Sequence, residues 1–147
     1  MDLSVLAGAV LVCVLGGIIP WVNTEVAVIG AALLIPPSAL PVLVIACALG
    51  QMSAKAALYG VTRWAPHRLP VRAKAFLARA EKYRDRRGVL GVAIFSGAFI
   101  AIPPFYIVTL ACGLLRVPFL LFVVAGVAGT ALRYGVVASA ALAIAAP

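Results

Sequence analysis

One carboxylate interrupts the apolar first part of this 147-residue chain. Glu25 stands between two apolar runs in GGIIPWVNTEVAVIGAALLIPP, residues 16–37. A charged side chain at the bilayer centre costs ~2.5 to 3.5 kcal/mol on insertion scales, so Glu25 needs either a function or a shallow position. Two interpretations are open. Either Glu25 complements the positive end of a helix capped by Asn23 or Thr24, or it is a cavity residue whose protonation alternates with substrate or cation binding.

Three further polar side chains in apolar segments are candidate partners of Glu25. Arg133, near the middle of the last apolar segment, can pair with an inward acid or bind a lipid phosphate bidentately. A structural ion pair, or an arginine that reaches the membrane surface, is the alternative. Gln51 is the better cavity candidate, because Lys55 lies nearer the basic loop and can extend toward water. The candidate substrate- or proton-binding residues are Glu25, Arg133, Gln51 and Lys55.

Catalytic chemistry has little support in the sequence. The sole histidine, His67, lies in a basic segment, and the four acids have neither a paired-carboxylate pattern nor the spacing of metal ligands: Asp2, Glu25, Glu81 and Asp85. The chain contains no Gly-rich phosphate loop and no Gly-x-Ser-x-Gly elbow. We therefore expect no enzymatic activity, no cofactor and no metal.

The composition indicates an integral membrane protein. Hydrophobic residues make up 65% of the chain and charged residues 11%, and the mean hydropathy is +1.18, which is far above that of soluble domains. At ~20 apolar residues per spanning helix, the apolar material amounts to roughly three spans plus shorter pieces. The three cysteines lie in apolar segments without metal or disulfide spacing, as is typical of small packing residues: Cys13, Cys47 and Cys112.

Positive charge is concentrated in one segment. The formal net charge is +8, and nine of the twelve Lys and Arg residues lie between Arg63 and Arg87. Such a cluster, joined directly to apolar segments, is typical of a cytoplasmic loop facing anionic headgroups, and we expect no nucleic-acid partner. Three-and-four spacing predicts an amphipathic helix from Val71 to Arg86, ended by Gly88, that is either interfacial or a solvated connector.

Hydropathy and helix breakers divide the chain into six segments of a single membrane domain, residues 1–147. We predict an all-α integral membrane fold with two repeats, each a hairpin followed by a spanning helix. Its parts are spanning helices at 3–20, 39–62 and 118–146, re-entrant (broken) segments at 21–37 and 88–116, and a basic cytoplasmic loop with its amphipathic helix at 63–87.

The repeat is visible in the order of the breakers. Each half contains a proline, a glycine, a proline and then Tyr-Gly-Val: Pro20, Gly30, Pro36 and 59–61 in the first, Pro103, Gly113, Pro118 and 134–136 in the second. Paired, interrupted segments of this kind are typical of transporters with inverted repeats. Backbone freed at a proline pair must be buried or line a cavity, so the hairpin tips are predicted at Pro36, Pro37, Pro103 and Pro104. The alternative is one proline-kinked spanning helix over 89–115 and a loop with an interfacial piece over 21–37.

Three motifs carry a family resemblance through their order and spacing: PWVNTEV, ALGQMSAKAALYGVTRW and GLLRVPFLLFVVAGVAGTALRYGVV. Together they resemble the DedA superfamily, also called the VTT or SNARE-associated Golgi protein family, and especially its small YqaA-like members. The first motif resembles the family's entry to its first re-entrant hairpin, the second its Gly-Asn/Gln segment and the third its terminal Arg-Tyr helix. The likeness runs from Pro20 to Ala138, which is most of the chain.

The resemblance implies two re-entrant helices that point at each other across the membrane and an activity that moves lipids between leaflets. Bacterial relatives are associated with undecaprenyl phosphate and phospholipid translocation, and eukaryotic relatives with scrambling. The chain departs from the family at the second hairpin, where a Phe-x-Arg-x-x-Pro-x-x-Arg pattern is replaced by FSGAFIAIPPF, without arginine. The resemblance therefore constrains the substrate less than the fold.

The sequence thus predicts a multi-pass protein of the cell inner (plasma) membrane that moves a lipid or lipid-phosphate carrier by alternating access, with proton coupling through Glu25. Its expected partners are membrane lipids, with anionic headgroups at the basic loop, and a homo-oligomer is compatible with the sequence. Two alternatives remain. One is a small proton-coupled exporter of cationic compounds, for which Arg133 is dispensable. The other is a scaffold without transport, whose basic helix at 71–86 recruits lipids or proteins.

Overall fold

The regular structure of the chain is helical. The computed structural model describes residues 3–64, 71, 75, 78–79, 81–101 and 104–145, and these residues contain no strand. Their helices with defined ends are α1 Leu3–Ile18, α2 Thr24–Leu34, α3 Leu40–Trp64, α4 Arg87–Ile100, α5 Phe105–Leu114 and α6 Phe119–Ala145. The prediction of an all-α fold is confirmed for the described residues.

Two helices are long and apolar enough to cross a membrane. With the 3-10 turn Pro37–Ala39 in front of it, α3 covers 28 residues, and α6 covers 27. At 1.5 Å per residue each measures ~40 Å, more than the ~30 Å of the hydrocarbon layer. These helices match the spans predicted at 39–62 and 118–146, and they support membrane association.

The other four helices are short. α1 has 16 residues, α2 has 11, α4 has 14 and α5 has 10, so they measure from ~15 to ~24 Å and each is shorter than the hydrocarbon layer. The crossing predicted for residues 3–20 stays a prediction, now for a helix of ~24 Å. The stretch 21–37 contains a regular helix, α2, which fits either the predicted re-entrant segment or the interfacial piece of the alternative interpretation.

The short helices form two pairs in which the chain folds back on itself. α1 packs on α2, and a Cβ added at Gly16 would collide with the side chain of Thr24. α4 packs on α5, and a Cβ added at Gly97 would lie 3.0 Å from Val108 Cγ2. In one continuous helix, residues 97 and 108 would be ~16 Å apart. The stretch 89–115 is therefore a helical hairpin and not a single kinked helix.

The prolines predicted as hairpin tips lie at two different breaks between helices, one within the α4–α5 pair and one between α2 and α3. Pro104 directly precedes α5, at the break between α4 and α5, while Pro103 lies outside the described residues. Pro36 and Pro37 lie instead between α2 and α3, where Pro37 opens the 3-10 turn that leads into α3. The break between α1 and α2 contains Pro20. In the order of breakers, Pro20 corresponds to Pro103 and Pro36 corresponds to Pro118. This correspondence agrees with a break at Pro20 within the α1–α2 pair and a break at Pro104 within the α4–α5 pair.

The end of the basic segment differs from the prediction. Gly88 was expected to end a helix over Val71–Arg86, but it is the second residue of α4, and Glu81–Tyr83 form a separate 3-10 turn. This turn is closed by a bond from the Arg84 N–H to the Glu81 carbonyl at 3.1 Å. A glycine is tolerated at the start of a helix, because the first N–H groups have no intrahelical partner. Residues 72–74, 76–77 and 80 of the expected helix lie outside the described residues.

The chain divides into two compact units. The first comprises Met1–Ala54 and Thr130–Pro147, and the second comprises Lys55–Gly129. The first unit therefore contains α1, α2, the beginning of α3 and the end of α6. The second contains the end of α3, α4, α5 and the beginning of α6. Each unit is built from one short helix pair and one part of each long helix.

The core of the first unit combines many alanine and cysteine side chains with a few larger apolar ones. Residues of α1, α2 and α3 pack together with Tyr134 and Ala138 of α6. Cys13 and Cys47 are free thiols fully buried in this core, in agreement with the packing role expected for them. Gly16-Gly17 lies within the last three residues of α1, where the absence of a side chain permits close packing.

Candidate polar cluster in the first unit

Glu25 is positioned by the first turn of α2. Asn23 caps this helix, because its side-chain oxygen accepts hydrogen bonds from the backbone N–H groups of Glu25 at 3.1 Å and Val26 at 3.3 Å. Free N–H groups make this end of a helix electropositive, which favours a carboxylate. Since Asn23 performs the capping, the Glu25 carboxylate is available to another partner.

That partner is Arg133. Its Nη2 donates to Glu25 Oε1 in an ion pair that joins α2 to α6 within the first unit. The Glu25 side chain is 31% exposed and the Arg133 side chain 25%, so the pair is partly buried but still accessible. The two strongest candidates from the sequence, 108 residues apart, are thus brought together.

A second hydrogen bond lies beside the ion pair. The hydroxyl of the buried Tyr134 donates to Gln51 Oε1 at 2.9 Å, and the side chain of Thr24 is also buried. Tyr134 follows Arg133 in α6, and Thr24 precedes Glu25 in α2. The two interactions therefore belong to one group, which we call the polar cluster: Thr24, Glu25, Gln51, Arg133 and Tyr134.

Helix α1 packs directly against the backbone that carries this cluster. A Cβ at Gly16 would collide with the Thr24 side chain, and a Cβ at Gly17 would lie 2.7 Å from the carbonyl oxygen of Gln51. α1 thus approaches both α2 and α3 at cluster residues. A larger side chain at either glycine would displace one of them.

Thr130 lies one turn before Tyr134 in α6. It is fully buried, and its hydroxyl has no hydrogen-bond partner among the described residues. Residues three or four apart on a helix are neighbours on its surface, so Thr130 shares a face with Arg133 and Tyr134. A buried hydroxyl without a partner is costly and is available to a ligand or a water molecule.

Lys55, the fourth candidate, belongs to the second unit. Its side chain is 4% exposed, and its ammonium nitrogen lies 5.0 Å from the centre of the Phe105 ring, in a cation–π contact. The sequence suggested that Lys55 extends toward water. In the structure it is instead buried against the start of α5.

Tyr134 and Thr24 were not among the candidates from the sequence. The signal that could have found Tyr134 is its repetition, since Tyr59 opens the other Tyr-Gly-Val motif. Tyr59 is also buried and also uses its hydroxyl, which donates to the Val117 carbonyl at 2.5 Å in the second unit. In both units, therefore, the motif places a tyrosine that connects two elements.

Within the described part of the chain, no group of three or more His, Cys, Asp and Glu side chains is gathered that could hold a metal ion. Comparisons of the chain with protein-family models, with curated proteins and with solved structures find no match. The resemblance to the DedA superfamily therefore stays a prediction that depends on the motifs quoted above, and the polar cluster has to be interpreted from its own geometry.

Proposed function

We propose that this chain is a membrane transporter of the DedA type, which moves a lipid or a lipid-phosphate carrier between leaflets, and that the polar cluster is its substrate and proton site. The observation that supports this most directly is the Glu25–Arg133 ion pair in a chain with two membrane-length helices. Ionisable residues inside membranes are costly and mark substrate or proton pathways. The partial exposure of both side chains leaves the pair open to a ligand.

The ion pair couples a proton to an anion by competition for Arg133. While Glu25 is ionised, its carboxylate occupies the guanidinium group. A proton on Glu25 removes the negative charge and weakens the hydrogen bond from Nη2. Arg133 is then free to bind a phosphate through two parallel N–H···O bonds. The proton and the phosphate therefore favour each other's binding, and loss of both restores the pair.

The neighbouring side chains orient the anionic head. Because Gln51 accepts from Tyr134 through Oε1, its NH₂ group points elsewhere and has two N–H donors for a phosphate oxygen. The buried hydroxyl of Thr130 supplies a further donor on the face of α6 that carries Arg133. These groups favour an anionic ligand over a cationic one, which would have to displace Arg133 from Glu25.

We further propose that the α1–α2 and α4–α5 pairs are re-entrant hairpins of an inverted repeat, so that α1 enters the membrane without crossing it, in place of the crossing expected for residues 3–20. Three observations support this: each helix is shorter than the hydrocarbon layer, each pair folds back on itself, and each pair is followed by a long apolar helix. Glu25 then lies at the N-terminus of a half-length helix. In transporters of this type, such positive helix ends point toward anionic substrate groups.

The test is lipid movement between leaflets in proteoliposomes with and without a pH gradient. Wild type is compared with Glu25→Gln and Arg133→Gln, and with the matched variants Glu81→Gln and Arg79→Gln, which remove the same charges at exposed positions of the basic segment. We expect wild type to move a phospholipid, Arg133→Gln to lose transport, Glu25→Gln to lose its response to the gradient, and both matched variants to behave as wild type.

Several outcomes would contradict the proposal. It is wrong if wild type moves no lipid across a panel, or if both cluster variants match wild type. Loss of function only in the variants of the basic segment would indicate a scaffold. Transport of a cation that needs Glu25 but not Arg133 would indicate the exporter.

A further inference from the structure

The second unit contains an arginine site that is separate from the polar cluster. A cleft of about 410 Å³ is lined by Arg63 and Arg116 together with the rings of Tyr59, Trp64 and Phe119. Trp64 is 85% exposed and Phe119 is 50% exposed. The cleft thus combines two guanidinium groups, which stay charged at any physiological pH, with exposed aromatic rings.

The buried Tyr59 forms hydrogen bonds to both sides of this cleft. Arg63 Nη1 donates to the Tyr59 hydroxyl at 2.6 Å, and the hydroxyl donates to the carbonyl of Val117, the residue after Arg116. The Tyr59 ring is stacked on Phe122, with the ring centres 5.1 Å apart. Tyr59 therefore fixes the Arg63 guanidinium relative to the turn that carries Arg116. The hydrogen bond uses one of the five N–H donors of Arg63.

The backbone at Arg116 has a conformation that favours glycine. After α5, the Val117 N–H donates to the Cys112 carbonyl at 3.0 Å and the Arg116 N–H donates to the Gly113 carbonyl at 3.2 Å, the two bonds of a Schellman turn. Arg116 occupies the left-handed position of this turn with φ 51°, where glycine is usual. Strain of this kind is retained where a side chain has a function, and here that side chain is a guanidinium group in a cleft.

Arg116 also lines a second cleft, which is rich in arginine. This cleft, of about 320 Å³, is lined by Arg84, Arg87 and Arg116, with Asp85 as its one acidic lining residue. Three arginines against one aspartate leave an excess of positive charge around the turn. Such an excess attracts anions from solution or from a membrane surface.

We propose that Arg63 and Arg116 bind the phosphate of an anionic phospholipid, while Trp64 and Phe119 contact its glycerol and the first part of its acyl chains. Guanidinium groups bind phosphate bidentately, and tryptophan is enriched at the headgroup level of membranes. The two exposed rings favour a lipid over free phosphate, which would occupy the arginines and leave both rings uncovered. This site requires a membrane but not transport, so it does not depend on the function proposed for the polar cluster.

The experiment uses the full chain in neutral detergent, with Trp21→Phe so that Trp64 is the sole tryptophan. Quenching of Trp64 fluorescence is titrated with phosphatidic acid and with phosphatidylcholine, each with brominated acyl chains. Arg63→Gln and Arg116→Gly are compared with Arg79→Gln, an exposed arginine of the same unit that does not line the cleft. A parallel titration adds inorganic phosphate as competitor.

We expect phosphatidic acid to bind more tightly than phosphatidylcholine, with a loss of affinity of about tenfold or more in each cleft variant, since each variant loses charge-assisted hydrogen bonds to the phosphate. Arg79→Gln should bind as the parent does. Arg116→Gly should unfold at the same or a higher temperature, because glycine relieves the backbone strain, so that its loss of binding cannot be a folding defect.

Other results overturn the proposal. Equal quenching by the two lipids would exclude phosphate recognition. An equal loss of lipid affinity in Arg79→Gln would show that the lipid is attracted by the overall positive charge only. Displacement of the lipid by inorganic phosphate at comparable concentration would assign the arginines to free phosphate and not to a lipid.

Discussion

Glu25 and Arg133 show how two charged residues can be retained in a chain with so few charges. Each compensates the charge of the other, so a single substitution costs more than the loss of one contact. Removal of one partner from a buried pair leaves the other charge uncompensated, whereas exposed pairs contribute little. The partial exposure of both side chains places this pair between those limits.

We therefore expect Glu25→Gln and Arg133→Gln each to lower the free energy of unfolding by about 1 to 2 kcal/mol. The double variant should lose less than the sum of the two single losses, because it leaves no unpaired charge. The measurement is a double-mutant cycle of denaturant unfolding in detergent. Additive losses would mean that the two side chains do not interact in the folded protein.

At this scale the sequence identified charged residues better than neutral ones. Glu25, Arg133 and Gln51 were predictable, because each is costly in an apolar helix unless it has a partner. Thr24, Thr130 and Tyr134 were not predictable as members of the cluster, since hydroxyl groups are common in apolar helices. A threonine in such a helix can donate its hydroxyl to the carbonyl one turn back, as Thr109 does to Phe105 at 2.8 Å. The burial of Lys55 against an aromatic ring depends on α5, which is distant in sequence.

At the scale of helices and turns, glycines mark either a break or a close approach, and the sequence pattern does not distinguish the two. In the sequence, Gly16-Gly17 and Gly88 are each compatible with a helix end. The first pair lies inside α1 against Thr24 and Gln51, and Gly88 lies in the first turn of α4. The prolines were more informative, because a proline removes a backbone donor wherever it stands, and the described prolines of the repeat lie outside the regular part of the helices or open a turn.

The aligned glycines of the two halves provide a matched test. A Cβ at Gly113 would collide with Thr62 and lie 2.5 Å from the Tyr59 carbonyl oxygen, whereas a Cβ at Gly30 has no heavy atom within 4 Å. We expect Gly113→Ala to destabilise the protein by about 1 to 3 kcal/mol through overpacking. Gly30→Ala should be neutral or stabilising by up to about 1 kcal/mol, since alanine favours helix.

Thermal unfolding of both variants in the same detergent measures this difference. The order of their transition temperatures is the result that matters, because both variants add one methyl group to a helix. Equal transition temperatures would mean that α5 does not approach α3 at Gly113 as closely as described.

At the scale of the whole molecule, composition and hydropathy were sufficient to predict a helical fold with two long apolar helices, but not which elements belong to each of the two units. The end of α6 belongs with α1 and α2, more than ninety residues earlier in the chain. Local periodicity contains no information on such a distant pairing. The prediction of short interrupted segments came from hydropathy, segment length and helix breakers, all of which are local properties.

If α1 and α2 form a re-entrant pair, residues 4 and 38 lie on the same membrane face, opposite the basic segment. We expect Ser4→Cys and Ser38→Cys to react with a membrane-impermeant thiol reagent from one side, and Ala78→Cys, at an exposed position, to react only from the cytoplasmic side. The three native cysteines are buried and give little background, and a parent in which they are replaced by alanine is the control. Reaction of positions 4 and 38 from opposite sides would show that α1 crosses.

The distance in sequence between Glu25 and Arg133 also sets an order of events during synthesis. The ribosome makes 108 further residues after Glu25 before its partner exists, which at ~5 to 20 residues per second takes about 5 to 20 s. Throughout this time the nascent chain contains the acid without its counter-charge. The first unit is completed only when α6 has left the ribosome, so any chain that stops before Arg133 lacks the residue that holds Glu25 in place.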